Sequence, residues 1–161
     1  MEMTLHRVSS QQAIHAVKIG VAGAASALAA RRLGLSEGCW AAISAFLVMG
    51  SDVGATVLAS RERLIGTVIG GALGTAVVIA NGAHLLWFGV AAAATVLFCE
   101  ALGLMQSYRL ACVTVAIVML VTNTDAPWKI SARRFLEVAL GIAVALLISA
   151  LPPKAEHRRV Q

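Results

Sequence analysis

Apolar residues fill most of the chain in long stretches that short polar or glycine-containing connections separate. Six stretches extend over approximately 12–30, 39–49 with a continuation to 59, 64–80, 85–104, 109–121 and 135–151. A spanning helix needs about 20 apolar residues, and all but the second and fifth stretches approach that length. The pattern predicts an all-α integral membrane protein with six transmembrane helices.

The second and fifth stretches are too short to cross a bilayer alone. At 1.5 Å per residue, about 11 to 13 residues fall well below the roughly 30 Å of hydrocarbon. Each stretch ends at a polar break, GSDVG at 50–54 and TNTDAPW at 122–128. We expect both helices to be broken. A second half-helix would begin near Val53, capped by Ser51 or Asp52, and another at Pro127.

The chain repeats itself weakly at an offset of 69 to 71 residues. RLGLSEGCWAAISAFLVM aligns with ALGLMQSYRLACVTVAIVM, and RLIGTVIGGALG aligns with RFLEVALGIAVA. The aligned pairs are Gly34 with Gly103, Leu35 with Leu104, Ala42 with Ala111, Met49 with Met119, Arg63 with Arg134, and Gly70 with Gly141. Three spans per unit is an odd number, which predicts an inverted repeat of 12–80 and 85–151. Chance similarity between two alanine-rich stretches is the alternative.

Composition supports the membrane interpretation. The chain of 161 residues is 59% hydrophobic and 13% charged, and its mean hydropathy is +0.83. Soluble domains use about 45–50% apolar residues. Six spans leave a segment at 1–11 and a basic tail at 152–161, which excludes a large catalytic domain. The net charge of +5 comes from scattered loop and tail residues. This distribution favours topology signals and lipid headgroup contacts over nucleic-acid binding.

Basic residues in the connections indicate an orientation. With a cytoplasmic N-terminus, the inner side holds Arg7, Arg61, Arg63, Arg109, Lys154, Arg158 and Arg159. The outer side then holds Arg31, Arg32, Lys129, Arg133 and Arg134. Seven against five is a weak positive-inside bias. It predicts a bacterial-type inner-membrane protein with both termini in the cytoplasm.

Enzyme motifs are missing from the sequence. It has no zinc-ligand spacing, nucleophile elbow, P-loop or paired catalytic carboxylates, and its four histidines are scattered. Cys39, Cys99 and Cys112 lie in apolar surroundings without close spacing, so we interpret them as small core residues. We expect no enzymatic activity, no metal and no cofactor.

The two polar breaks predict a substrate path. Irregular backbone at membrane depth is tolerated beside a cavity or where protein buries it. Half-helices starting there would present positive N-termini, and arginines follow both breaks, so the path favours an anion. Its candidate residues are Lys18, Ser51, Asp52, Thr56, Arg63, Arg109, Asn123, Thr124 and Arg134. Ordinary loops with a solvated charged rim are the alternative.

Arg63 and Arg134 are the strongest candidates because the repeat relates them. A guanidinium donates two parallel hydrogen bonds to a carboxylate. The inverted topology places Arg63 toward the cytoplasm and Arg134 toward the outside. We therefore expect two successive anion sites, one at each mouth, assisted by half-helix N-termini near Ser51, Asp52, Asn123 and Thr124.

Several other residues have competing interpretations. Gly66, Gly70 and Gly74 form a GxxxGxxxG face that favours close helix packing, as does Gly141 in the second repeat. Lys18 and Glu100 could pair within the membrane, with Glu100 as a candidate for proton coupling, or Lys18 could extend to the headgroups. Trp40 and Trp87 are better explained as interfacial anchors than as stacking platforms.

The run GCWAAISAFLVMGSDVGATVLASRERLIGTVIGGALG, residues 38–74, resembles the signature of the fusaric acid resistance protein-like family. That family includes aromatic acid exporters and is similar to the plant aluminium-activated malate transporters. The resemblance covers nearly the whole chain: a YWAAI-like start to the second helix, GAT after its break, R..GT..G...G in the third helix and an Arg-led sixth helix. Cys39 stands where an aromatic residue is usual.

The resemblance implies six spans per module and transport of organic anions, often aromatic carboxylates. Longer members carry a second membrane module and a cytosolic domain that this chain lacks. A chain with one module reaches the same number of modules most simply by forming a two-fold homodimer. We therefore expect an exporter or channel for organic or inorganic anions. A non-transporting membrane subunit that scaffolds or regulates a partner is the alternative.

Overall fold

The computed structural model describes residues 10–35, 37–121 and 125–151. Over these ranges the chain forms six α-helices and no strand, which confirms the all-helical prediction. The helices are α1 (Ser10–Arg32), α2 (Cys39–Val48), α3 (Val53–Asn81), α4 (Leu85–Ala101), α5 (Tyr108–Leu120) and α6 (Pro127–Ser149). The basic tail at 152–161 and the first nine residues lie outside the described part.

The short helices α2 and α5 are not the first halves of broken helices, so that prediction is wrong. α3 continues without interruption from Val53 through Arg63 to Asn81. The segment expected to complete the second helix is therefore the start of the third. α6 likewise begins at Pro127 instead of near Phe135. The reason is local: arginine and glutamate are good helix formers, so charge in these segments does not end a helix.

The starts of α3 and α6 follow the predicted capping chemistry. Asp52 has extended backbone, and its side chain accepts a hydrogen bond from the Ala55 N–H at 2.9 Å. This contact satisfies one of the donors that a helix N-terminus leaves free. At α6, Pro127 occupies the first turn directly after the cap residue Ala126, where a missing N–H costs nothing.

The same turn follows α1 and α4. Gly34 and Gly103 have φ angles of 73° and 69°, a left-handed conformation that glycine adopts without a Cβ penalty. The Leu35 N–H donates to the Ala30 carbonyl at 3.0 Å, and the Leu104 N–H donates to the Cys99 carbonyl at 2.8 Å. Both turns therefore reverse the chain with a Schellman-type hydrogen bond. They lie at positions that the sequence alignment pairs.

The long helices α3 and α6 lie side by side and antiparallel. Thr56 Oγ1 lies 3.2 Å from Ser149 Oγ at one end, and Thr75 Oγ1 lies 2.7 Å from Ser131 Oγ at the other. The buried face of α3 between these contacts carries Arg63 and a row of small residues. This antiparallel pair forms the centre of the bundle.

Each short helix packs on the long helix of the other half. A Cβ on Gly70 of α3 would collide with the Ala111 carbonyl of α5, and a Cβ on Gly141 of α6 would collide with the Ala41 carbonyl of α2. Glycine at these positions therefore allows backbone-to-backbone contact. The contacts make Ala41 the structural equivalent of Ala111, which corrects the sequence alignment with Ala42 by one residue.

Helix lengths bear on the membrane prediction. By length and composition, α1 and α3 are able to cross a membrane. α2 and α5 are about 15 and 20 Å long at 1.5 Å per residue, short of the roughly 30 Å hydrocarbon core. α6 matches α1 in length but carries four charged residues. By length and composition, the helices are therefore unequal candidates for membrane spans.

Alanine at Gly70 or Gly141 should destabilise the bundle. The new Cβ meets a backbone carbonyl that a rotamer change cannot move, and overpacking of this kind costs about 1–3 kcal/mol. Thermal melts of purified protein in detergent should show a lower midpoint for both variants. Alanine at Gly20 or Gly89, where an added Cβ has open space, is the matched control and should not lower the midpoint. Equal midpoints for all four variants would contradict this packing.

Candidate functional site

Arg63 and Arg134 are the most deeply buried basic side chains in the described part of the chain. Their exposed fractions are 2% and 4%. Arg63 lies about 15 Å along α3 from Val53, and Arg134 about 10 Å along α6 from Pro127. The sequence predicts both arginines in connections between helices, and the structure places them within α3 and α6 instead. The two successive anion sites stay a prediction. Both lie inside the bundle because their segments are helical and their faces pack inward.

Arg134 is neutralised by the chain itself. Its Nη1 donates to Glu137 Oε2, one helical turn away, at 2.7 Å, and its Nη2 donates to Glu37 Oε2 in the α1–α2 turn. The guanidinium carbon lies 4.7 Å from the centroid of the Trp40 ring, within the range of a cation–π contact. Trp40 Nε1 also donates to Glu37 Oε2, at 2.8 Å. We call Arg134, Glu37, Glu137 and Trp40 the Arg134 cluster.

The cluster holds Glu37 as a carboxylate. Partial burial raises the pKa of Glu37, but the hydrogen bonds from Arg134 and Trp40 and the charge of Arg134 outweigh burial, so the pKa is lowered. The Glu37 backbone N–H also donates to the Glu137 side chain. These bonds fix the α1–α2 turn against the middle of α6.

Arg63 has no such partner. Within the described ranges, its Nε and Nη1 are buried without a hydrogen bond, and so is Ser60 Oγ on the preceding turn of α3. Burying a charge costs several kcal/mol unless a partner compensates it. Two polar groups on one buried face of α3 are therefore without a hydrogen-bond partner among the described residues.

The remaining predicted path residues lie away from this position. Lys18, Ser51 and Asp52 line one cavity of about 430 Å³, together with His15 and Ser149. Lys18 Nζ donates to the Leu151 carbonyl at 2.8 Å. The structure thus brings three of the predicted residues together at the α2–α3 connection, in a different place from the two arginines.

Thr56 and Arg109 have local partners. Thr56 is fully buried, contacts the Asp52 carbonyl at 2.8 Å, and accepts from the Gly50 N–H at 3.0 Å. Arg109 is exposed and donates to the hydroxyl of Tyr108 at 3.2 Å. Asn123 and Thr124 lie outside the described residues.

Several other predictions need correction. Lys18 and Glu100 do not pair: over the described ranges α1 and α4 make no contact, and Glu100 is exposed. Cys39 is exposed, whereas Cys99 is buried, so the interpretation of all three cysteines as core residues is wrong for Cys39. Trp40 contacts Arg134 and Glu37, which its interpretation as an interfacial anchor did not foresee.

Sequence reasoning missed both acidic members of the Arg134 cluster. Glu137 left a detectable signal, since residues three apart face each other on a helix and opposite charges pair there. Glu37 left none, because 97 positions separate it from Arg134. The sequence carries no signal that Ser60 is buried, because a serine beside charged residues is typical of a polar connection.

The described structure is an all-helical bundle of membrane-type composition with charged groups at its centre. The model of the fusaric acid resistance protein-like family matches residues 23–148, and the protein belongs to this family. Its members are membrane proteins of the transport and resistance type and not typical enzymes, which places this chain in that class. Comparison with curated proteins and with solved structures found no match.

Replacing Glu37 with Gln should change how stability depends on pH. A folded-state pKa below the ordinary value of 4.5 means that the Glu37 carboxylate stabilises the fold above that pH and loses this contribution as pH falls. The wild-type melting midpoint should therefore drop on acidification below about pH 4.5, and Glu37→Gln should drop less. The exposed Glu100→Gln is the control. Parallel curves for wild type and Glu37→Gln would contradict the cluster's role.

Proposed function

We propose that the protein is a membrane transport protein for organic anions. The observation that carries this proposal is Arg63, a buried guanidinium with unpaired donors in a chain of a transport family. An ionisable group at depth in a membrane protein is costly and marks a substrate path by default. A negatively charged substrate supplies the counter-charge that the described residues do not give to Arg63.

We further infer an inverted repeat of two three-helix units. Three observations support it: the two matching glycine turns, the crossed glycine contacts and the antiparallel α3–α6 pair. In this arrangement both termini lie in the cytoplasm and the protein resides in the inner membrane. Two copies would form a homodimer, which gives the two modules that longer relatives are expected to carry.

The positive helix ends at the path belong to α2 and α5, not to α3 and α6 as the sequence suggested. A Cβ on Gly66, near the middle of α3, would lie 2.9 Å from the Ser107 carbonyl at the start of α5. The Glu37 N–H just before α2 reaches Glu137, near the middle of α6. Both short helices thus direct their N-termini toward the level of the arginines, which favours an anion there.

Replacing Arg63 with Gln should lower anion flux. Hydrogen bonds to a charged group are worth about 1.5–3 kcal/mol, so the loss should be about tenfold or more. The measurement is benzoate uptake into proteoliposomes under a voltage or pH gradient. Arg32→Gln is the matched control, because Arg32 is an exposed arginine at the end of α1, and its flux should stay near wild type.

Two outcomes would contradict the proposal. Unchanged flux in a folded Arg63→Gln variant would remove Arg63 from the path. Wild-type protein without flux for any anion would favour the non-transporting subunit. Arg134→Gln is a poor test, since it leaves two carboxylates without their guanidinium and should destabilise the fold.

Single cysteines at Gln11 and Asn81 should test the proposed topology. These residues mark the start of α1 and the end of α3. An odd number of spans between them requires opposite membrane faces. In cells, with the native cysteines replaced, an impermeant thiol reagent should label position 81 from outside and position 11 after permeabilisation. Labelling of both positions from one face would contradict the topology.

A further inference from the structure

The two repeat-related arginines differ in the counter-charge that the chain gives them. Three residues after Arg134 stands Glu137, and three residues after Arg63 stands Gly66. Three residues after the turn glycine Gly34 stands Glu37. Gln106 stands three residues after Gly103, and the residue that meets Gly66 as Glu37 meets Glu137 is Ser107, so neither carries a carboxylate. Both acidic positions of the Arg134 cluster are thus neutral around Arg63.

The surroundings of the two positions match closely enough for this comparison. The α1–α2 turn contacts α6 through Glu37 and Glu137, and the α4–α5 turn contacts α3 through Ser107 and Gly66. The connection from each turn glycine to the following short helix has the same length, since α2 begins at Cys39 and α5 at Tyr108. The backbone frame therefore recurs, while the carboxylates do not.

A cavity lies next to the α4–α5 turn. This cavity of about 280 Å³ lies between α3 and the turn, and its lining includes Glu62, Ile65, Gln106 and Ser107. Arg63 itself is not part of this lining and lies deeper in the bundle. Gln106 and Ser107 belong to the turn that corresponds to the α1–α2 turn of the other half, and Arg61 also lines the cavity.

We propose that Arg63, with Ser60, is a binding site for the carboxylate group of the substrate. This group takes the place that the Glu37 and Glu137 carboxylates have at Arg134. A planar carboxylate accepts parallel hydrogen bonds from a guanidinium, and its single negative charge balances Arg63. Ser60 Oγ, also unpaired in the described structure, donates a further hydrogen bond. Arg134 binds no substrate, so each chain has one carboxylate site instead of two successive ones.

The inference rests on the proposed transport function but is tested by binding. The probe is benzoate, with neutral benzamide of similar shape as comparison, titrated by calorimetry into full-length protein in detergent. Benzoate should bind and benzamide should not. Arg63→Gln should weaken benzoate binding at least about tenfold, since charge-assisted hydrogen bonds are lost.

A second variant places a carboxylate in the α4–α5 turn, at the position whose spacing from the turn glycine matches that of Glu37. Gln106 is exposed in the α4–α5 turn, so Gln106→Glu should fold. Its carboxylate should compete for Arg63 as an internal ligand, weaken benzoate binding about tenfold and raise the melting midpoint. Gln11→Glu adds the same charge at an exposed position far from Arg63 and should change neither property.

The melting midpoints of two variants test the difference between Arg63 and Arg134 without any ligand. Removing an uncompensated buried charge should not destabilise, whereas removing the partner of two carboxylates should. The melting midpoint should therefore stay level or rise for Arg63→Gln and fall for Arg134→Gln. A fall of equal size in both variants would overturn the difference in compensation on which the site depends.

The binding experiment and the flux experiment can contradict the carboxylate site and the transport function separately. Benzoate affinity that is unchanged in both Arg63→Gln and Gln106→Glu would overturn the carboxylate site, even if wild-type protein transports anions. Benzoate binding that depends on Arg63 in a protein without flux would support the site and overturn the transport function.

Discussion

Two close contacts between backbones position everything else in this bundle. Gly70 against Ala111 and Gly141 against Ala41 let a short helix approach a long one with no side chain between them. Dispersion forces fall steeply with distance, so such contact is a strong source of attraction where lipid removes the hydrophobic drive for helix association. It also fixes the depth at which α2 and α5 begin.

Charge placement follows from that depth. Because α2 begins near the middle of α6, Glu37 in the preceding turn reaches Arg134, and the ring of Trp40 lies against the guanidinium. Because α5 begins near the middle of α3, the turn before it approaches the same region of the bundle from the other half. One backbone arrangement thus produces two central sites, and the residues in the turns decide whether a site is neutralised from within.

The two halves of the chain differ in the counter-charge that they give to Arg63 and Arg134. A fully symmetric chain would either neutralise both arginines or leave both uncompensated. This chain neutralises one, with the buried Glu137 and the partly exposed Glu37, and leaves the other with free donors. In a low-dielectric interior the compensated arginine costs the fold less free energy than the uncompensated one.

The sequence by itself determined the helical class, the six elements, a cap at Ser51 or Asp52 and the glycine face, because these depend on local patterns of apolar, polar and small residues. It also paired Arg63 with Arg134. It misjudged where α3 and α6 begin, since charged residues inside a helix look like a loop when burial is unknown. Only the tertiary structure decided that both arginines are internal, that Glu37 reaches Arg134 and that Arg63 stays unpaired. Those facts depend on contacts between distant segments, which local spacing does not encode.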